Sequence, residues 1–143
     1  IRIANPYFTD EDIVLALCTA ARRGVKVQMV LPQENDQAVV QRASRAYYPR
    51  LVKAGVQVYE YKGRMAHEKV AVMDGRWSTF GSSNLDTRSF DNNDELNLVV
   101  NDPAVAADIE TKLFDADLPR SELMNGYSPD MLDRMARQAA GML

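Results

Sequence analysis

One histidine, one lysine and one aspartate stand at short, fixed spacing in the middle of the chain. His67 is the only histidine among 143 residues, Lys69 follows two positions later and Asp74 five positions after that, an H-x-K-x(4)-D pattern. A neutral imidazole can attack phosphorus or relay a proton, and an ammonium group neutralises phosphate oxygens as a transition state forms. The pattern therefore favours chemistry on a phosphate group.

A short polar stretch, Gly-Ser-Ser-Asn at 81–84, follows this pattern at the end of an apolar run. Its hydroxyl, amide and backbone N–H groups can hold the same phosphate oxygens. Residues two apart on a strand face one side, so we expect His67 and Lys69 to project together and Glu68 to point away. On these residues alone a structural reading stays open, in which the histidine is a partly buried core residue and 81–84 an ordinary turn.

The charge distribution favours the functional reading. The net charge is −3, yet residues 42–88 hold nine Lys or Arg against four Asp or Glu, whereas residues 90–143 hold four against eleven. Such a basic region attracts phosphate, although a solvated charged surface is the more common explanation of any one such segment. Both motifs lie inside the basic region.

The composition is that of a single globular domain. Hydrophobic residues make up 46% and charged residues 26% of the chain, which is ordinary for a folded protein. The apolar runs are far shorter than the ~20 residues of a membrane span, so we expect a soluble segment. A single cysteine, Cys18, and a single histidine lead us to expect neither a disulfide, a metal nor another cofactor. The chain starts at Ile1 without a signal-peptide pattern, which favours a piece of a longer protein.

Alternating strand and helix patterns predict an α/β fold. Six strands are predicted from short apolar runs, at IRIAN, VKVQMVLP, VQVYEY, KVAVMD, WSTFGS and ELNLVV. A helix capped by Thr9 follows the first strand, and a second helix from Asp36 to Ala54 should be kinked or split by Pro49. This β-α-β-α-β order favours a parallel sheet covered by helices, and Asp74-Gly75 is a hairpin signal.

Two more helices are predicted in the C-terminal third, each from a capping residue followed by proline. The first runs from Asp102-Pro103 to about Asp115, and the second from Ser128-Pro129 to Gly141. In the second, Met131, Leu132, Met135 and Ala139 form a stripe that we expect to pack on a core rather than meet a membrane.

The combined motifs resemble those of the phospholipase D superfamily, whose signature is H-x-K-x(4)-D followed by G-S-x-N. The likeness extends through IRIANPYF, AARRGVKVQMVLP, SRAYYPRLVKAGVQVYEY and GSSNLDTRSFDNNDELNLVV. Within the superfamily the chain is most similar to the second catalytic half of bacterial cardiolipin synthases. The resemblance implies a mixed, largely parallel β-sheet flanked by helices on both faces, with a catalytic domain at 1–118 and a helical extension at 119–143.

The resemblance also implies a reaction through a phosphohistidine, in which one histidine attacks phosphorus and a second protonates the leaving alcohol. In relatives with two motifs the first usually supplies the nucleophile, so His67 would be the general acid that later activates the incoming alcohol. Lys69 would bind phosphate oxygens, and Ser82 with Asn84 would support them. No metal is implied, because lysine supplies the positive charge.

Further residues match the superfamily's pattern. Asn93 and Glu95 match its N-x-E, which implies that the Glu95 carboxylate accepts the other imidazole N–H and fixes the tautomer. Asp74 would brace the site without touching substrate. Glu68 stands where relatives usually carry a small residue, which has little effect if its side chain points away. Tyr7 and Ser44-Arg45 match superfamily positions to which we assign no chemistry.

A single histidine cannot act as nucleophile and acid at the same phosphorus, so the chain is expected to hold half an active site. The other half would come from a second motif in the same protein or from a second copy about a two-fold axis. The implied substrate is a phospholipid at a membrane surface, in a parent protein associated with the bacterial inner membrane.

Three functions remain open on these grounds. The first is phosphatidyl transfer, as in cardiolipin synthesis from phosphatidylglycerol. The second is hydrolysis of a phospholipid, or of nucleic acid by a homodimer; the overall acidity and few aromatic residues weigh against nucleic acid. The third is a non-enzymatic module that binds lipid phosphate or mediates dimerisation.

Overall fold

Seven strands form one sheet in the computed structural model, which describes residues 1–63 and 66–140. The strands in chain order are β1 (Arg2–Ala4), β2 (Gln28–Pro32), β3 (Gln57–Tyr61), β4 (Val70–Met73), β5 (Trp77–Gly81), β6 (Asn97–Asn101) and β7 (Ser121–Leu123). Across the sheet the order is β6-β5-β4-β1-β2-β3-β7. The first strand therefore lies in the middle, between β2 and β4.

Helices cover both faces of this sheet. They are α1 (Glu11–Arg22), α2 (Ala38–Arg45), α3 (Tyr48–Ala54), α4 (Thr87–Asp91), α5 (Pro103–Ile109), α6 (Asp115–Asp117) and α7 (Met131–Ala140). A π-helical turn, Glu110–Phe114, joins α5 to α6. The predicted α/β architecture with helices on both faces is confirmed.

Two apolar cores lie on opposite faces because neighbouring strand residues point in opposite directions. Ile3 belongs to the larger core, where Leu17 of α1 and Leu51 of α3 are buried. Ala4 belongs to the smaller core, where Ala106 of α5 and Phe114 are buried, each 0% exposed. We call these sides the α1 face and the α5 face.

The sheet is less parallel than predicted. Among the strands of the described residues, only β1 with β2 and β2 with β3 pair in parallel, and their connections contain α1 and the α2–α3 pair. All other pairings are antiparallel, including β1 with β4. The Asp74-Gly75 hairpin accounts for the β4–β5 pairing, because short turns join antiparallel strands.

The segment 119–143, predicted to be a helical extension, also contributes a strand. β7 pairs with β3 in antiparallel register, with Glu60 opposite Glu122, and so extends the sheet. The sequence did not predict β7, because a strand of only three residues is too short to show a periodic pattern.

The start of the first helix differs from the prediction, and one predicted helix is split as expected. Asp10 rather than Thr9 caps α1, and its Oδ1 accepts a hydrogen bond of 2.8 Å from the backbone N–H of Ile13. The predicted second helix is split as expected, because α3 carries Pro49 in its first turn, where no backbone N–H is needed.

The last helix turns its predicted stripe outward. Met131, Leu132 and Met135 are 72%, 53% and 57% exposed, so the expectation that this stripe packs on a core was wrong. The inward face instead carries Asp133, 2% exposed, whose carboxylate accepts hydrogen bonds from Tyr127 and Arg42 at 2.5 and 3.1 Å.

A capping aspartate determines where α7 begins, and a cluster of alanines determines how it packs. Its first turn is capped by Asp130, whose Oδ1 accepts from the Asp133 N–H at 2.8 Å, so the helix starts later than Ser128-Pro129. Ala43, Ala136 and Ala140 form a cluster that lets α7 approach α2 closely. The predicted end at Gly141 lies outside the described residues.

None of the helices within 1–63 and 66–140 has the length and hydrophobicity needed to cross a membrane.

Candidate active site

His67 and Lys69 form the centre of the site, directly before β4. The Lys69 ammonium donates to the imidazole Nδ1 and to the His67 carbonyl oxygen, both at 3.0 Å. His67 is exposed, whereas Lys69 is partly buried. Burial lowers the pKa of Lys69 below its ordinary value, and the negative charge of Glu95 opposes that change. The predicted joint projection of the two side chains is therefore seen as a direct contact.

Tyr7 supports the imidazole from the end of β1. Its ring lies edge-on to His67, with centroids 6.2 Å apart and planes at 88°. The Tyr7 hydroxyl donates to Asp36 at 2.5 Å. Aromatic rings prefer this edge-to-face arrangement, so the Tyr7 contact favours the observed orientation of the imidazole.

We expect the variant Tyr7→Phe to reduce the sensitivity of stability to alkaline pH. Burial and the hydrogen bond to Asp36 raise the pKa of Tyr7 to about 12, against about 10 in an unfolded chain. The folded state keeps this proton where the unfolded state has lost it, so this contribution to stability is complete below about pH 10 and falls as pH rises towards 12. Denaturant midpoints measured between pH 9 and 11.5 should fall more steeply for the wild type.

A second tyrosine provides the comparison for that experiment. Burial and the hydrogen bond to Asp133 raise the pKa of Tyr127 to about 12 as well. The Tyr127→Phe variant should reduce the alkaline slope in the same direction, and the double variant should reduce it further. Equal slopes in Tyr7→Phe and wild type would contradict the burial of the Tyr7 hydroxyl.

Ser82 and Glu95 form a second polar pair at the same end of the sheet. The Ser82 hydroxyl donates to a Glu95 carboxylate oxygen and accepts a bond of 3.0 Å from the Leu96 N–H. Asn93 donates to the other carboxylate oxygen at 3.3 Å. The Ser82 bond holds the pKa of Glu95 below its ordinary value.

Gly81 allows β5 and β6 to meet at this end. A Cβ at residue 81 would overlap the Leu96 carbonyl oxygen and the Asn97 backbone. Only glycine leaves room for backbone to approach this closely. The glycine of the sequence motif is therefore a packing requirement that brings Ser82 next to the start of β6.

Asn5 connects β1 to the polar stretch 81–84. Its amide donates to the Ser83 carbonyl at 3.3 Å, and its Oδ1 accepts from the backbone N–H groups of Tyr7 and Leu85 at 3.1 and 3.3 Å. The Leu85 N–H also donates to the Tyr7 carbonyl at 3.0 Å. This buried side chain, 5% exposed, was not identified from the sequence because a lone asparagine has no spacing signal.

Asn84 lies beside a cavity of about 160 Å³ that Tyr7, Arg88 and Asn93 also line. Its Oδ1 is buried and has no hydrogen-bond partner among the residues that the structure describes. A buried acceptor without a donor is unfavourable, so a hydroxyl group of a bound molecule fits this position. Because Tyr7 also contacts His67, the structure brings Asn84 next to the cluster.

Asp74 is not brought into the cluster. It occupies the exposed turn after β4, with φ of 55°, at the opposite end of the strand from Lys69. Five residue steps at the rise of an extended strand place the Cα atoms of Lys69 and Asp74 ~16 Å apart. Asp74 therefore shares the sequence motif with His67 and Lys69 but is not in contact with them, as expected for a residue that does not touch substrate; its place in the fold is the hairpin turn.

The expected bond between Glu95 and the imidazole is also absent from the described contacts. Glu95 accepts from Ser82 and Asn93, and the imidazole Nδ1 faces Lys69. The family resemblance implied that Glu95 and the imidazole belong to one site, but it did not reveal which polar neighbour each group contacts.

The two other sequence-matched positions are structural. The Ser44 hydroxyl donates to the Phe8 carbonyl at 2.7 Å, which ties α2 to the end of β1. Arg45 pairs with Glu60 through bonds of 2.7 and 2.9 Å. Within residues 1–63 and 66–140, His, Cys, Asp and Glu side chains do not gather in groups of three or more that would suit a metal ion.

The arrangement places an imidazole, an ammonium, a hydroxyl and a carboxylate at one end of the sheet. Such a set can neutralise a phosphate, exchange a proton with an alcohol and orient the imidazole. A second imidazole would be needed for a covalent phosphoryl intermediate, because one ring cannot attack phosphorus and protonate the leaving group together.

Comparisons with known proteins agree with this geometry. A family model described as "Cardiolipin synthase, PLD-like domain" matches residues 1–118. Cardiolipin synthase A of Yersinia pseudotuberculosis serotype O:1b is 41% identical over 125 residues, which are 87% of this chain and 26% of that protein. The chain thus spans only a part of the curated relatives it matches.

Solved structures share the fold. Nuc, a phospholipase D family member from Salmonella typhimurium, has a TM-score of 0.73 at 24% identity, over 85% of this chain and 79% of that chain. Phosphatidylserine synthase from Haemophilus influenzae has a TM-score of 0.70 at 14% identity, over 99% of this chain and 41% of that chain. At these identities the likeness is one of architecture.

Proposed function

Because the chain belongs to the phospholipase D-like domain family of the cardiolipin synthases, we propose that it supplies one half of a phosphatidyltransferase active site. The observation that carries the proposal is the convergence of His67, Lys69, Ser82 and Glu95 at one end of the sheet. In the proposed reaction a phosphatidyl group passes from a phospholipid to a histidine and then to an alcohol such as the glycerol end of phosphatidylglycerol. The product with that acceptor is cardiolipin.

Each step balances with two histidines. The histidine of the other half attacks phosphorus, the bond from phosphorus to the leaving glycerol oxygen breaks, and protonated His67 gives that oxygen its proton. His67 then takes a proton from the incoming alcohol, whose oxygen attacks phosphorus as the phosphorus–nitrogen bond breaks. Because His67 is exposed, water can replace the alcohol, and the same steps then give hydrolysis.

Lys69 changes partner in this scheme. In the structure its ammonium donates to the imidazole Nδ1. A phosphate dianion or diester anion competes for that ammonium, because bonds between ionised groups are stronger than a bond to neutral imidazole. Once Nδ1 is free, the imidazole takes up a proton from water, and the resulting Nδ1–H can donate a hydrogen bond to the Glu95 carboxylate while Nε2–H gives its proton to the leaving oxygen.

The other half would contact the β6 side of the sheet. β6 is the outermost strand on this side, and Leu96, Leu98 and Val99 around it are 82%, 55% and 57% exposed. An exposed apolar edge strand without lysine or proline favours contact with another protein surface. Ser82 and Glu95 adjoin this edge, so a second motif docked there would face His67 across the site.

The test uses the enzyme with both motifs present, whether on one chain or on two copies. It is offered phosphatidylglycerol vesicles and a single-stranded oligonucleotide in separate and mixed reactions. We expect cardiolipin and free glycerol from the vesicles and no cleavage of the oligonucleotide. Cleavage of the oligonucleotide without lipid turnover would replace the proposal with a nucleic-acid phosphodiesterase, and turnover of neither would favour a binding module.

A further inference from the structure

An apolar groove of about 380 Å³ begins at Lys69 and runs along the α1 face of the sheet. Its floor is formed by Ala71 and Met73 of β4 and by Trp77 and Thr79 of β5. Lys69, Ala71 and Met73 alternate along the chain and therefore point to the same face. The groove is thus a direct continuation of the catalytic cluster along one strand.

Helix α1 forms one wall of this groove and leaves the rest of the face open. Ile13, Ala16 and Leu17 line the groove from the helix side. Ile3 of β1 is covered by the core that α1 completes, whereas its neighbour in register, Ala71, is only partly buried. The apolar surface therefore continues beyond the part that the helix covers.

Polarity is distributed unevenly along the groove. Lys69, Ser83 and Asn97 lie at the end shared with the catalytic cluster, and the remainder is lined almost entirely by apolar side chains. A ligand that fits such a groove carries an anionic group at one end and a hydrocarbon body behind it. The volume falls within the range of small-molecule binding sites, ~300–1,000 Å³.

We propose that this groove binds one acyl chain of the phospholipid whose phosphate Lys69 contacts. The inference rests on the proposed function, because it takes the phosphate site at Lys69 as its starting point. Burying hydrocarbon against this surface supplies binding free energy that phosphate contacts alone do not. The same face then selects substrates with a long chain over soluble phosphodiesters with the same head group.

Trp77 allows the proposal to be tested by direct binding. It is the only tryptophan in the chain and lines the groove, so its fluorescence reports on this site alone. The probe is lysophosphatidylglycerol with a ten-carbon chain, kept below its micelle-forming concentration. We expect a saturable shift of the emission to shorter wavelength, and no shift with glycerophosphoglycerol, which has the same head group and no chain.

Two alanine variants provide a matched pair. Ala16 is exposed on the groove side of α1, so Ala16→Phe fills the groove without displacing core residues and should weaken lysophosphatidylglycerol binding at least tenfold. Ala107 is exposed on α5, on the other face, and Ala107→Phe should leave binding unchanged. Equal affinities for the two variants, or no shift in the wild type, would overturn the proposal.

A parallel measurement separates this inference from the proposed function. Phosphorus NMR of glycerophosphoglycerol should show line broadening with the wild type and much less with Lys69→Met. If the phosphorus line broadens but lysophosphatidylglycerol does not shift the Trp77 emission, the acyl-chain proposal is wrong and the phosphate site at Lys69 is still supported. A Trp77 shift without the Lys69-dependent broadening would overturn the phosphate site, and with it the claim that the chain occupying the groove belongs to its ligand.

Self-association is the rival occupant of this face. If copies of the chain cover the groove, Trp77 emission should shift with protein concentration in the absence of lipid. Light scattering on the same samples detects the change in molar mass. We expect emission independent of protein concentration; a concentration-dependent shift that follows the mass would overturn the acyl-chain proposal.

Discussion

We expect the His67→Ala variant to lower kcat/KM for phosphatidylglycerol by about 10²- to 10⁴-fold, the range observed when a general acid–base group is removed. Without His67 the leaving alkoxide is unprotonated and the incoming alcohol keeps its proton. His67 is exposed and contributes no side chain to either apolar core, so the fold should be unaffected. The measurement is steady-state turnover with a thermal melt of each variant.

A substrate with a p-nitrophenol leaving group identifies the role of His67. Nitrophenolate leaves without protonation, so a general acid is dispensable in the first step and the variant should still release a burst of nitrophenol. A missing burst would mean that His67 is the nucleophile. The control is the neighbouring Glu68→Ala, which removes an exposed charge and should change turnover little; unchanged turnover in His67→Ala would contradict any catalytic role.

The largest expected loss of stability follows from Arg45→Met, at about 3–5 kcal/mol in the free energy of unfolding. Glu60 is 2% exposed and relies on Arg45, with bonds of 2.7 and 2.9 Å, and on the Tyr48 hydroxyl at 3.0 Å. Removing the guanidinium leaves a buried carboxylate with a single neutral donor. Denaturant unfolding of the variant measures the loss.

Two further variants show whether burial causes this effect. The exposed pair between Arg50 and Glu11, at 2.9 Å, should contribute only ~0–1 kcal/mol, so Arg50→Met is the control for loss of an arginine. Adding Glu60→Leu and Tyr48→Phe to Arg45→Met should recover most of the stability, because apolar residues often replace a buried ion pair without cost. If Arg45→Met and Arg50→Met lower the free energy of unfolding by similar amounts, the Glu60 carboxylate is accessible to water.

The sequence predicted those features that depend on short-range periodicity. Period-two alternation located β1 to β6, and the two-residue spacing placed His67 and Lys69 on one side, where they are in contact. The same strand geometry places Asp74 at the far end of β4, where it cannot contact His67 or Lys69. The strand geometry that supported the histidine and lysine pair thus argued against the whole triad as a contact cluster.

Features that depend on contacts between distant residues could not be predicted from periodicity. The stripe at Met131, Leu132 and Met135 has helical spacing, but the buried bonds of Asp133 to Tyr127 and Arg42 turn the opposite side of α7 inward. A charged residue with several partners outweighs a count of apolar positions, because its burial without them would be costly. Spacing along the chain carries no information about such partners.

The bonds of Asn5 to Ser83 and Leu85 have a consequence for the order of folding. They join residues 78 and 80 positions apart, and Phe8 bridges Leu85 in the same place. Contacts between such distant positions have a high entropy cost of loop closure. They therefore tend to form after local helices and hairpins. The β4–β5 pairing depends on local contacts, whereas the contacts of residues 81–85 with β1 require the central strands to be in place. During synthesis, catalytic geometry would be among the last properties that the chain acquires.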